Sequence, residues 1–141
     1  VAKFIGNPQM NLHEMQVENI NGSIFLTNSS IRIPISTTVV NRTNASDLQD
    51  GATIFMGVRP SDIFIKNNDT GIEAFKAKMT LSEMLGAETL IEFQIGELNF
   101  KAIVEDDYGI RSGELFEVGM NFDKIHIFEN IKLHSIQQLH Q

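Results

Sequence analysis

Cysteine is absent from the 141 residues, which excludes disulfides, thiolate catalysis and cysteine-ligated zinc. Tryptophan is also absent, and Tyr108 is the only tyrosine. Lysine and arginine number 11 against 18 acidic residues, a net charge of −7, and no stretch is strongly basic. A surface that grips nucleic acid needs clustered cations with aromatic platforms among them, so no nucleic acid is expected as a partner. No apolar run approaches membrane-spanning length and no signal-peptide pattern opens the chain, which fits a reducing cytoplasm.

Catalytic patterns are missing as well. There is no Gly-x-Gly-x-x-Gly, no Walker-type phosphate loop and no His-Glu-x-x-His. Nucleophile-elbow and Ser-x-x-Lys patterns do not occur either. His13, His126, His134 and His140 are scattered. His126 lies between two isoleucines, and a surface or turn-bonded histidine is expected there rather than a metal ligand. The run Glu105-Asp106-Asp107 reads as a solvated turn. The Asn-x-Ser/Thr triplets at Asn21, Asn28, Asn41, Asn44 and Asn68 read as coincidental in an asparagine-rich chain.

What the chain does contain is a globular share of apolar residues, 42%, enough for one domain or two small subdomains. The residues before Pro8 read as the end of a helix, since Val1, Phe4 and Ile5 share a helical face. Gly6-Asn7-Pro8 then stops it. A helix this short has no stability alone and must dock on something. The chain begins at Val1 rather than Met, which points to a piece of something longer.

From Met15 onward the texture is β. Gln16–Ile20 alternates, Asn21-Gly22 signals a hairpin, and Ser23–Leu26 returns. Ile31–Ile35 alternates strictly, with Pro34 confining it to an edge or a strand end. Asn41–Gly51 reads as a polar loop leading into a strand over Ala52–Val58. Arg59 precedes Pro60, so its backbone is extended, and Asp62 is placed to pair with it or cap the turn. Ile63–Ile65 follows, then a polar turn at Asn67–Gly71. Phe75, Ala77, Met79 and Leu81 line one face of a half-buried strand. Ser82–Gly86 breaks that alternation, which reads as a bulge at Leu85-Gly86. Thr89–Ile95, Phe100–Val104, Phe116–Phe122 and Ile125–Phe128 complete a set of short strands separated by turns. That pattern predicts an all-β fold, a small barrel or sandwich.

Four motifs occur in order: Phe4-Ile5-Gly6-Asn7-Pro8-Gln9-Met10-Asn11-Leu12, Gly57-Val58-Arg59-Pro60-Ser61-Asp62-Ile63, Leu85-Gly86-Ala87-Glu88-Thr89-Leu90, and Ile125-His126-Ile127-Phe128-Glu129. Together they closely resemble the C-terminal region of ATP-binding subunits from carbohydrate-type ABC importers, of the maltose and glycerol-phosphate kind. Ser61 and Asn7 depart from the usual Glu and Ser.

The resemblance implies an OB-like regulatory domain with a TOBE module and a short N-terminal helix. It divides the chain into a linker end at 1–12, a regulatory domain at 13–129 and a tail at 130–141. The regulatory domain would have halves at 13–56 and 57–129, the second TOBE-like. Gly6, Pro8, Met10 and Asn11 would form an interdomain hinge. Gly57, Arg59, Pro60, Asp62, Leu85, Gly86 and Glu88 would carry the structural and regulatory motifs.

The implied function is regulation and dimerisation without catalysis. The expected partners are a second copy, the parent ATPase domain, the membrane permease and, in some family members, a regulatory protein. No cofactor is expected in this segment, with ATP and Mg held by the parent ATPase domain at the inner face of the membrane. The alternative is a free-standing module that binds a small oxyanion or a sugar.

Overall fold

The structure, a computed structural model, describes residues 9–66, 73–105 and 108–129. The expected N-terminal helix, the turn at Asn67–Gly71, Asp106-Asp107 and the tail from Asn130 lie outside those residues. Within them the chain is built almost entirely from ten strands in two five-stranded sheets, and the all-β expectation holds.

The first sheet has the order β10-β4-β1-β2-β3. Its strands are β1 (Asn11–Ile20), β2 (Ser23–Thr27), β3 (Arg32–Pro34), β4 (Thr53–Val58) and β10 (His126–Glu129). β1 and β2 form the hairpin that Asn21-Gly22 predicts, paired from Ile20–Ser23 to Gln16–Thr27. Both turn residues have positive φ, 52° at Asn21 and 90° at Gly22, as a type I′ turn demands. Pro34 ends β3 at the sheet edge, where its missing N–H breaks no ladder. Val17, Leu26 and Ile33 sit side by side across three strands and are all buried.

A five-residue helix, α1 (Thr37–Asn41), falls in the stretch that read as β and runs only to the first residue of the expected loop at Asn41–Gly51, which itself carries a 3-10 turn at Ala45–Leu48. Neither was legible as a helical period, since both are too short to show one. Val39 and Leu48 are buried from them. The Arg42 guanidinium, just past α1, donates to the carbonyl oxygens of Asp123 at 2.9 Å and Ile125 at 2.5 Å. These bonds hold α1 against the segment that leads into β10.

The second sheet has the order β5-β9-β6-β7-β8. Its strands are β5 (Ile63–Ile65), β6 (Phe75–Leu85), β7 (Glu88–Ile95), β8 (Leu98–Val104) and β9 (Leu115–Met120). Phe93 packs between Phe100, stacked at 5.8 Å, and Phe116, edge-on at 5.6 Å. Ala77, Met79, Ile91, Ala102 and Val118 are buried around them. The Phe64 ring lies over Gly119, its cross-strand partner, so closely that a Cβ there would come within 2.6 Å of the ring.

The chain divides into two compact units, Leu12–Val58 with 122–129, and Arg59–Asn121 with 9–11. The chain leaves the first of these units at Val58–Arg59, two residues past the boundary expected between the halves. The expected second half, 57–129, is shorter than drawn, because β10 pairs with β4 and so belongs with the first sheet. A strand's distant partner is not written in its own alternation, which is why Ile125–Phe128 read only as one more strand.

Candidate functional site

Two of the four residues expected at a hinge, Gly6 and Pro8, lie outside the described residues. Met10 is half-buried and Asn11 opens β1 as one of the few buried polar residues. The Asn11 amide bonds both backbone groups of Lys101 on β8: Nδ2 donates to the Lys101 carbonyl at 2.9 Å, and the Lys101 N–H donates to Oδ1 at 2.7 Å. An asparagine side chain has both a donor and an acceptor, so it closes the edge of β8 as another strand would. Sequence reasoning placed Asn11 at a hinge but missed Lys101, because nothing in a strand's pattern marks the backbone that a side chain will meet. Asn11 and Lys101 line a cleft of about 170 Å³ with Gln9, Thr80, Glu92 and Asn99.

The motif around Pro60 sits where the chain crosses between the units. Pro60 is buried at the first position of a 3-10 turn, Pro60–Asp62, where a proline loses no hydrogen bond. The expected side-chain pairing of Arg59 with Asp62 is not formed. Arg59 is exposed, and its link to Asp62 is through the backbone, the Asp62 N–H donating to the Arg59 carbonyl at 2.9 Å. The turn closes without the ion pair because Pro60 already sets its geometry and Arg59 is held extended, φ −71° and ψ 145°. The Asp62 carbonyl accepts from the Asn121 N–H at 2.9 Å. Gly57 is a buried member of β4 opposite His126.

Leu85, Gly86 and Glu88 lie at the tip of the β6–β7 hairpin, not at a bulge within a strand. Leu85 pairs with Glu88 across a two-residue turn whose first residue, Gly86, has φ 66°. This is the type II′ arrangement. The bulge exists but lies earlier: Met79 faces Phe93 and Leu81 faces Glu92, which leaves Thr80 as the extra residue. The extra residue changes which positions face the core, and so the alternation ending at Leu81 looked broken while the strand ran on to Leu85. Residues 80–88 are all exposed.

His126 is half-buried in β10 and stacks on Phe128, centroids 6.1 Å apart. Among the described residues no group of three or more His, Asp or Glu side chains could hold a metal ion. No helix among them is long and apolar enough to cross a membrane.

Residues 6–63 match the family of the MalK OB fold domain. Over these residues the chain is similar to a MalK-type OB domain. The match takes in the first sheet from β1 to β4 and ends with the motif around Pro60. Sequence relatives extend the likeness beyond that OB domain. An uncharacterized ABC transporter ATP-binding protein of Bacillus subtilis, YurJ, is 30% identical over 131 residues. The oligosaccharides import ATP-binding protein MsmX of the same organism is 29% identical over 133 residues. The maltose/maltodextrin import ATP-binding protein MalK of Aliivibrio fischeri is 29% identical over 136 residues. Each alignment covers 92% of this chain but only 34–35% of the relative. The chain therefore spans about a third of the length of these relatives, and the part it matches is their C-terminal region. A solved structure of the cytoplasmic molybdate-binding protein ModG, with molybdate bound, shares the fold at TM-score 0.65 and 8% identity. It covers 88% of this chain and 99% of its own.

Proposed function

We propose that this segment is the non-catalytic regulatory and dimerisation region of an ABC importer ATP-binding subunit, for uptake of a sugar or a glycerol-phosphate-type solute. The observation that carries the proposal is the alignment of nearly the whole chain with the C-terminal third of such subunits. ATP and Mg belong to the parent ATPase domain, and the assembly sits at the cytoplasmic face of the membrane through its permease. Two copies associate through this region and stay together while the motor domains open and close.

The site residues take roles that suit this reading. Gly6, Pro8, Met10 and Asn11 form the hinge to the motor, with Asn11 anchoring the incoming chain to β8 through Lys101. Gly57, Arg59, Pro60 and Asp62 shape the turn from β4 to β5, and Leu85, Gly86 and Glu88 present a hairpin to a neighbour. The experiment is removal of residues 12–129 from the full-length subunit. We expect ATP hydrolysis by the motor to survive and nucleotide-independent pairing of the subunits to be lost. Pairing that persists without these residues overturns the dimerisation role.

A further inference from the structure

The half of β6 beyond the bulge has one neighbour. From Phe75 to Lys78 the strand pairs with β9, and at Lys78 with β7 as well. From Leu81 to Leu85 it pairs only with β7 among the described residues. A two-residue turn is closed by a hydrogen-bonded pair, and bonded pairs alternate with non-bonded ones back along the ladder. With Leu85–Glu88 as the closing pair, Glu83 and Leu81 also bond towards β7. The backbone groups of Ser82 and Met84 therefore point away from it, along an open edge.

That edge lacks the lysines and prolines with which exposed strands are often protected. Lys76 and Lys78 lie on the half that β9 already covers, and Leu81–Leu85 contains neither proline nor lysine. It carries apolar side chains instead: Leu81 is 43% exposed, Met84 68% and Leu85 45%. Acidic groups surround them. Glu83 stands between Leu81 and Leu85 on one face of the strand, while Glu92 and Glu88 are the cross-strand partners of Leu81 and Leu85 on that face. A second copy presents the same carboxylates in symmetric self-pairing, and like charges directly opposed oppose it.

We propose that the β6 edge from Leu81 to Leu85 is a strand-addition site for an extended segment of a different protein, one that alternates apolar and basic residues. The backbone of Ser82 and Met84 supplies the hydrogen bonds. Met84, 68% exposed on the other face of the strand, receives the apolar side chains, and Glu83, with Glu88 and Glu92 on its own face, selects the lysines or arginines that the alternation puts there. The site stands independently of whether the parent is an importer subunit.

The test uses the 141-residue chain and two fluorescein-labelled heptapeptides, one alternating valine with lysine and one alternating valine with glutamate, read by fluorescence anisotropy. The valine–lysine peptide is expected to bind about tenfold more tightly, from a few cross-strand charge pairs acting together. Met84→Pro removes one edge-facing N–H and no ladder bond, and should abolish binding. Glu83→Lys, an exposed change that keeps the backbone free, should reverse the peptide preference. Equal binding of the two peptides, no binding of either, or a preference unmoved by Glu83→Lys overturns the proposal. So does a dimer of the unliganded chain that Met84→Pro dissolves, because the edge would then belong to a second copy.

Discussion

The Asn11 side chain and the Lys101 backbone exchange two hydrogen bonds, at 2.9 and 2.7 Å, across 90 residues of sequence. The first residue of β1 is thereby fixed to the edge of β8 in the same way a strand residue would be. Asn11 belongs to the motif that the family resemblance placed at the junction with a motor domain.

Asn11→Ala should be among the more damaging polar substitutions in this chain. It leaves both Lys101 backbone groups without their partner at a part-buried site, at a cost of about 1–3 kcal/mol. Urea unfolding followed by circular dichroism reads the change. A midpoint equal to that of the unaltered chain would mean that water replaces the amide without loss.

Arg59→Ala should be nearly neutral. The side chain is exposed and makes no pair with Asp62, and the turn is closed by a backbone bond. Surface changes of this kind stay within about 0.5 kcal/mol. A large drop in melting temperature would assign Arg59 a structural role that its geometry does not supply.

Gly86→Ala should destabilise the β6–β7 hairpin by about 1 kcal/mol, because φ is 66° there and a side chain disfavours that region. Its Cβ would meet nothing within 4 Å, so the effect is conformational rather than steric. Ala87→Gly is the paired control, with the smaller effect expected. Thermal unfolding of both variants separates the two. Equal effects would remove the assignment of the turn type.

Self-association of the isolated segment should depend on concentration. Leu12, Ile20 and Leu115 are exposed, Leu115 to 74%, and apolar side chains in the open favour a covering partner. Light scattering over a dilution series should show mass rising towards a dimer as concentration increases. A monomeric mass at the highest soluble concentration would confine dimerisation to the assembled subunit.

Much of the fold was legible because its signals are local. Asn21-Gly22 specified the first hairpin, Pro34 the edge strand, and alternation the strands on either side of the Pro60 motif. What escaped was non-local or disguised. β10 returns to β4 over a separation that no alternation records. The extra residue at Thr80 changed the pattern of faces and made one long strand read as a strand and a break. The motif positions were legible by resemblance, but their contacts were not. Arg59 suggested a salt bridge that Pro60 makes unnecessary, whereas the Asn11–Lys101 pairing uses backbone groups present in every residue.

The claim that this segment is the C-terminal region of an importer ATP-binding subunit is tested most directly by reading the open reading frame across the codon for Val1. We expect the frame to continue upstream into an ATPase domain containing a phosphate-binding loop, a signature motif and a catalytic carboxylate. A start codon immediately before this segment, or a frame that leads into an unrelated domain, would contradict it.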